Sequence, residues 1–304
     1  MNKLTYETII AGFMEMAKND EKIRAALIVG SRARTEVPAD EYSDLDLVAI
    51  VENPSAFLDD TDWLGKIGKH YLTFLENTAV GGGKERRVLF EEGLDVDFAF
   101  FPVSALPELE QDPEPLGVFA KGVRVLFDKD GTVTALVHQA PKNLPAPQVP
   151  GSEEIRNAIH DFWYHAVLAA KKIRRGELLD AKSICDSYMK HLLMQLVRTQ
   201  TKLNKGLAFD TWHGNRFFEK WADPETVSAY KNLYGVYEEE DVWRALHNTM
   251  SFFRETAKDV CVKNDLHYPE EGDAYAAGLV ESLYSQEQRP VRGSINSFYN
   301  LSAI

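Results

Sequence analysis

"ALIVGSRARTEVPADEYSDLDLVAIV", Ala26 to Val51, holds an apolar strand pattern, a Gly-Ser turn, a polar segment and a second apolar run that carries Asp44 and Asp46. Alternate side chains of a strand point to opposite faces, so Asp44, Asp46 and Val48 share one face while Leu45 and Leu47 share the other. Two carboxylates that close together repel. A divalent cation between them removes the repulsion, and one or two carboxylates combined with substrate phosphates is the usual way a protein holds Mg²⁺. A third acid inside an apolar run stands in "LDVDFAFF". Asp97 lies deeper in that run and is preferred, with Asp95, on the same face, as the alternative.

The turn carries equal weight. Gly30 lets the chain bend sharply after the strand, and Ser31 with the following amides can meet a phosphate at a helix N-terminus, where Arg32 adds a cation. Each fragment alone is common: a strand often ends in Gly-Ser, and acids at strand edges are usually just solvated. The full series is more specific, with a strand, Gly-Ser, twelve residues, Asp-x-Asp in a strand and an acid in a later strand. Those parts describe a nucleotidyl-transfer site, in which metal ions steady the attacking and leaving oxygens.

Outward from this stretch, the first half alternates helical and strand periods. Tyr6 to Asn19 reads as a helix, Arg24 to Val29 and Leu45 to Val51 as strands, and Ser55 to Gly68 as broken helix. Tyr71 to Leu75 is a further strand. Arg87–Glu91 and Leu94–Phe101 flank a Glu92-Gly93 hairpin turn. "PKNLPAPQVPG", from Pro141 to Gly151, has four prolines and reads as an extended linker. Beyond it Ser152 is placed as an N-cap, with the stripe Ile155, Ile159, Phe162, Ala166, Ala169 and Ile173 running to a stop at Gly176. A second helix is expected from Glu177 to about Gln200, and further helices over Pro224 to Asn264. The expected architecture is an α/β, mixed-sheet domain over residues 1–147, an all-α helical bundle over 152–284 and a tail over 285–304.

The chain has 304 residues, 34 Lys and Arg against 47 Asp and Glu, and a formal net charge of -13. That charge disfavours a nucleic-acid partner and favours a cationic small molecule, although acidity also serves plain solubility. Cys185 and Cys261 stand far apart with no clustered His, so neither a disulfide framework nor a zinc site is expected. No apolar run approaches a membrane span and "MNKLTYETII" lacks the features of a secretory signal, so a cytoplasmic protein with no membrane partner is expected, as a monomer.

The motif resembles that of the nucleotidyltransferase superfamily that includes DNA polymerase β. More narrowly, "GSRARTEVPADEYSDLDLVAIV" is similar to the signature of the aminoglycoside 6-adenylyltransferases, the streptomycin adenylyltransferase family. "RNAIHDFWYHAVLAAKKIRRGELLDAK" and "FRETAKDVCVKNDLHYPEEGDAY" resemble that family's helical part, with Asp161 where Glu is expected before the aromatics. The resemblance implies transfer of AMP from Mg-ATP to a hydroxyl of an aminoglycoside such as streptomycin, with release of pyrophosphate. It implies Mg²⁺ at Asp44, Asp46 and Asp97, the β and γ phosphates of ATP at the turn of Gly30, Ser31 and Arg32, and the polycationic drug between the domains. Alternatives are a lincosamide or another small hydroxyl compound as acceptor, or a catalytically silent nucleotide-binding protein on the same fold.

A sugar hydroxyl is a poor nucleophile, and a carboxylate that takes its proton would help. Asp186 is a candidate because it interrupts an apolar stripe of Leu179, Leu193 and Val197; an ion pair with Lys182 or Lys190 explains it equally well. Asp161 is the other candidate. Asp161, Trp163 and Tyr164 are placed on the substrate, although aromatics at helical spacing are more often core. His160 and His165, with no partner acid or Cys in a metal spacing, are read as surface or core histidines and not as metal ligands.

Overall fold

The computed structural model describes residues 3–286, so the expected tail, apart from its first two residues, lies outside the described residues. The chain divides into two compact units, one ending at Ala146 and the next beginning at Pro147.

The first unit opens with α1 (Tyr6–Lys18), started by a reciprocal cap in which Thr5 and Thr8 exchange side-chain and backbone hydrogen bonds. Its apolar residues Ile9, Ile10, Phe13 and Ala17 are buried. Strands β1 (Ile23–Val29) and β2 (Leu45–Val51) follow, then the short helices α2 (Ser55–Leu58) and α3 (Leu64–Ile67). Next come β3 (His70–Asn77), β4 (Lys84–Phe90) and β5 (Asp95–Pro102), with Glu92 and Gly93 both at positive φ between the last two, as a tight hairpin turn demands. Two helices, α4 (Leu106–Leu109) and α5 (Pro113–Lys121), precede β6 (Arg124–Asp128) and α6 (Thr132–Asn143).

The six strands form one mixed sheet in the order β3-β4-β5-β2-β1-β6. The pair β2–β5 is parallel and every other pair antiparallel. Leu45, Leu47, Ala49 and Val51 face a core with Phe13, Trp63, Phe98 and Phe100, and the Trp63 and Phe98 rings meet edge to face at 5.0 Å. Fully burying such a side chain is worth about 1.5–3 kcal/mol. The opposite face packs Leu27, Ile50 and Phe101 against Leu116, Val133 and Leu136 of the later helices.

Strand β6 and helices α4 to α6 were not marked by the sequence periods, and the expected linker begins too early. Pro141 lies inside α6, two residues before its end, where the missing amide costs one hydrogen bond in an already closing turn.

The second unit is helical: α7 (Ser152–Arg174), α8 (Leu178–Ser183), α9 (Met189–Lys205), α10 (Phe218–Trp221), α11 (Pro224–Tyr230), α12 (Glu239–Lys263) and α13 (Glu270–Tyr284). The stripe from Ile155 to Ile173 is buried throughout. Gly176 takes φ +75, and the amides of Gly176 and Glu177 return to the carbonyls of Ile173 and Lys172, a closure that needs a left-handed residue there. The cap at the other end is a correction: Gly151 is the N-cap and Ser152 the first helical residue, without a side-chain cap bond. The helix expected from Glu177 is interrupted by a π-helical turn at Ile184–Tyr188. That extra residue shifts the helix phase, so Leu179 points to solvent while Leu193 and Val197 are buried. Among the described residues no helix is long and apolar enough to cross a membrane.

Candidate active site

Sheet register assembles the acids. Asp46 stands beside Asp97 in the parallel β2–β5 pair and opposite Val29 at the end of β1. Asp44 precedes β2 by one residue, outside the ladder. One ligand atom from each of Asp44, Asp46 and Asp97 lies within 4.8 Å of the others. Asp97 is buried and the other two are half-buried. Asp95 is used differently, accepting a hydrogen bond of 3.1 Å from the Tyr6 hydroxyl.

Gly30 follows β1 in a single 3₁₀ turn, Gly30–Arg32, so the helix expected after the turn is absent. Its φ is +69, and a Cβ on it would sit 2.1 Å from Asp46 Oδ2. Only glycine leaves the Asp46 carboxylate room against the backbone. Ser31 is 9% exposed, and its Oγ is buried without a hydrogen-bond partner. A buried polar atom left this way costs about 1–3 kcal/mol, which a ligand oxygen at the turn would recover. Three hard oxygen donors, a glycine cradle and an orphaned hydroxyl fit a divalent cation carrying a phosphate.

Arg32 is bonded to the neighbouring loop. Its Nε donates to the Asp44 carbonyl at 2.8 Å and its Nη2 to the Ser43 carbonyl at 2.6 Å, and the guanidinium lies 3.6 Å from the centre of the Tyr6 ring. Nε and Nη2 are thus engaged with the loop before β2.

Two charged residues of β4 complete the surroundings. Arg87, opposite Asp97 across the hairpin, donates from Nε to Asp97 Oδ1 at 2.7 Å and from Nη1 to Glu76 at 3.2 Å. Burial pushes the Asp97 carboxyl above the usual range, Arg87 pulls it back, and Asp44 and Asp95 add to the rise. Half-buried Glu85 is pushed up to about 7, first by burial and then by Asp97. Both residues were missed in the sequence: counting outward from a two-residue Glu92-Gly93 turn sets Val88 opposite Asp97, whereas the connection holds three residues, Glu91–Gly93, and shifts the register so that Arg87 takes that place.

In the helical unit, Asp186 lies in the π-helical turn and forms an ion pair with Lys182; Lys190 Nζ is 3.9 Å from its other oxygen. Lys190 is buried, donates to Thr249 Oγ1 at 2.7 Å and to the Cys185 carbonyl at 3.0 Å, and burial lowers its pKa. Asp161 accepts from the Tyr188 hydroxyl at 2.9 Å and lies 2.7 Å from His165 Nδ1. His165 thus pairs with an acid one helical turn back. Tyr164 is exposed. Trp163 does not suit a substrate stack: it is 4% exposed, packs edge-on to Phe162 and Phe253, and donates its indole N–H to Tyr268 at 3.1 Å.

A mixed sheet that brings Asp-x-Asp and a neighbouring-strand acid beside a Gly-Ser turn defines a nucleotidyltransferase. The family model for streptomycin adenylyltransferase matches residues 4–281, and the chain belongs to that family of enzymes. It is 23% identical over 264 residues to the aminoglycoside 6-adenylyltransferase of Bacillus subtilis (strain 168), covering 85% of this chain and 90% of the relative. The aminoglycoside 6-adenylyltransferase of Campylobacter jejuni is 22% identical over 262 residues, covering 84% and 88%. A crystal structure of an aminoglycoside 6-adenyltransferase from Bacillus subtilis aligns over 93% of this chain and 100% of that one, with 20% identity and a TM-score of 0.45.

Proposed function

We propose that this protein transfers AMP from ATP to a hydroxyl of an aminoglycoside, streptomycin heading the candidates, with Mg²⁺ held by Asp44, Asp46 and Asp97. The observation that carries this reading is the convergence of those three carboxylates beside Gly30 and the orphaned Ser31 hydroxyl. When bound, the cation would neutralise phosphate charge and polarise the phosphoryl group under attack. The Ser31 hydroxyl donates to a phosphate oxygen, and Gly30 keeps the backbone clear of the Asp46 carboxylate. Arg87 holds Asp97 in its ligand orientation against the cost of burial.

In the reaction the acceptor oxygen bonds to the α-phosphorus, the bond from that phosphorus to the bridging oxygen breaks, and pyrophosphate leaves with the electron pair. The acceptor's proton passes to a carboxylate, for which Asp186 is the proposed base. A net charge of -13 favours encounter with a polycation. The test is incubation with Mg-ATP and an aminoglycoside panel, read by mass spectrometry for an AMP adduct and by a pyrophosphate assay. An adduct with matching pyrophosphate is the expected result. No adduct on any aminoglycoside, with ATP still bound, would overturn the acceptor class.

A further inference from the structure

Asp44 differs from its two partners in how it is held. Asp46 and Asp97 sit in adjacent, hydrogen-bonded strands, whereas the ladder of β2 begins after Asp44. Its place must come from the loop between the Gly-Ser turn and β2. That loop is tied at three levels. Ala39 donates its amide to the Ser31 carbonyl at 2.9 Å, Ser43 and Asp40 close a small turn through a side-chain bond of 2.8 Å, and Arg32 reaches over to the carbonyls of Ser43 and Asp44. The guanidinium is planar and presents its donors in a fixed fork, so two adjacent carbonyls held by one fork fix both position and rotation of the peptide. Tyr6 backs the fork with its ring and is itself pinned by its bond to Asp95.

We propose that Arg32, braced by Tyr6, is the positioning residue that sets Asp44 as a metal ligand, and is not a phosphate ligand. The inference rests on the reading that the three carboxylates hold a divalent cation. It accounts for three features together: an arginine directly after Gly-Ser, a non-strand aspartate twelve residues further on, and the diversion of Asp95 from the acid cluster to Tyr6. A lysine would not replace the arginine, because an ammonium has no planar fork and does not stack its charge flat on a ring.

The test uses the full chain and Mn²⁺ alone, titrated by electron paramagnetic resonance, with inorganic triphosphate binding measured separately by calorimetry without metal. Asp46→Asn marks the signal that belongs to the cluster. Arg32→Met and Arg32→Lys are each expected to weaken Mn²⁺ binding about 10- to 100-fold, the usual loss when a ligand's supporting residue is removed, with triphosphate binding unchanged. Tyr6→Leu should produce part of that loss, and Tyr6→Phe, which keeps the ring, should stay near the wild type. Should Arg32→Met fail to fold, Arg32→Lys and Tyr6→Leu decide the question. Wild-type Mn²⁺ affinity in the Arg32 variants overturns the inference, and loss of triphosphate binding alongside it makes Arg32 a phosphate ligand. If the wild type itself shows no Mn²⁺ site sensitive to Asp46→Asn, the metal reading fails and the inference falls with it.

Discussion

Gly30→Ala isolates the contact between the turn and the Asp46 carboxylate of the acid cluster. An added Cβ would lie 2.1 Å from Asp46 Oδ2 and 3.1 Å from its Cγ, and the residue would have to keep φ near +69. Left-handed backbone costs an alanine about 1–2 kcal/mol. The overlap is relieved most cheaply by the carboxylate, since it ends a short side chain while the turn is fixed by the bonds of Ala33 and Arg34 to the Gly30 carbonyl at 3.2 and 3.1 Å. Asp46 must therefore retreat by about 1 Å, a misplacement that commonly costs about 100-fold in rate. The expected outcome is a folded protein, destabilised by about 1–2 kcal/mol in urea, with AMP transfer down about 100-fold and Mn²⁺ affinity reduced in parallel. Steady-state kinetics, urea unfolding and Mn²⁺ titration measure the three effects. A folded variant with wild-type metal affinity would refute the claim that the glycine exists to admit the carboxylate.

Further outcomes follow from the same geometry. Asp46→Asn should remove transfer by about 10³-fold or more while leaving the unfolding midpoint close to the wild type, because it deletes a metal ligand and no core contact; substantial residual activity would remove Asp46 from the metal assignment. Asp186→Asn should lower kcat by about 10²–10⁴ with little change in ATP affinity, as loss of a base does; an unchanged rate would pass the role to Asp161. Glu85 supplies a pH effect. Its carboxyl holds a proton more tightly when folded, at about 7 against the ordinary 4.5, so its stabilising contribution is complete below about pH 4.5 and is lost as pH rises through 7. Screening of a half-exposed group leaves about 1–2 kcal/mol of the effect. Glu85→Gln should accordingly be more stable than the wild type at pH 8 and equal to it at pH 4.5, by urea unfolding at both; an equal difference at the two values would separate Glu85 from the acid cluster.

Much of this protein is legible locally. Leu45 and Leu47 alternate with Asp46 because a strand has a period of two, and that alone sends the acids to one face and the leucines into the core. The stripe from Ile155 to Ile173 repeats at helical spacing and Gly176 ends it, so α7 needed no tertiary information beyond its exact cap. Other elements were hidden for identifiable reasons. Strand β6 is five residues of half-exposed edge with weak alternation, and it exists because β1 offers it a partner. The π-helical turn under Asp186 leaves composition unchanged and appears only in the hydrogen-bond ladder.

The candidate site divides along the same line. Sequence alone singles out the residues proposed to carry the chemistry, since Gly-Ser and Asp-x-Asp are one continuous span whose backbone freedom and charge can be read locally. Their supports come from distant or cross-strand neighbours. The hairpin brings Arg87 and Glu85 to Asp97, and α1 brings Tyr6 to Arg32 and Asp95. Tertiary packing also ties Arg32 to the Ser43 and Asp44 carbonyls and the Tyr6 ring, and buries Trp163 in the helical core. A side chain's neighbours depend on which elements meet, and periodicity cannot report that; it reports only the face from which the side chain leaves its own element.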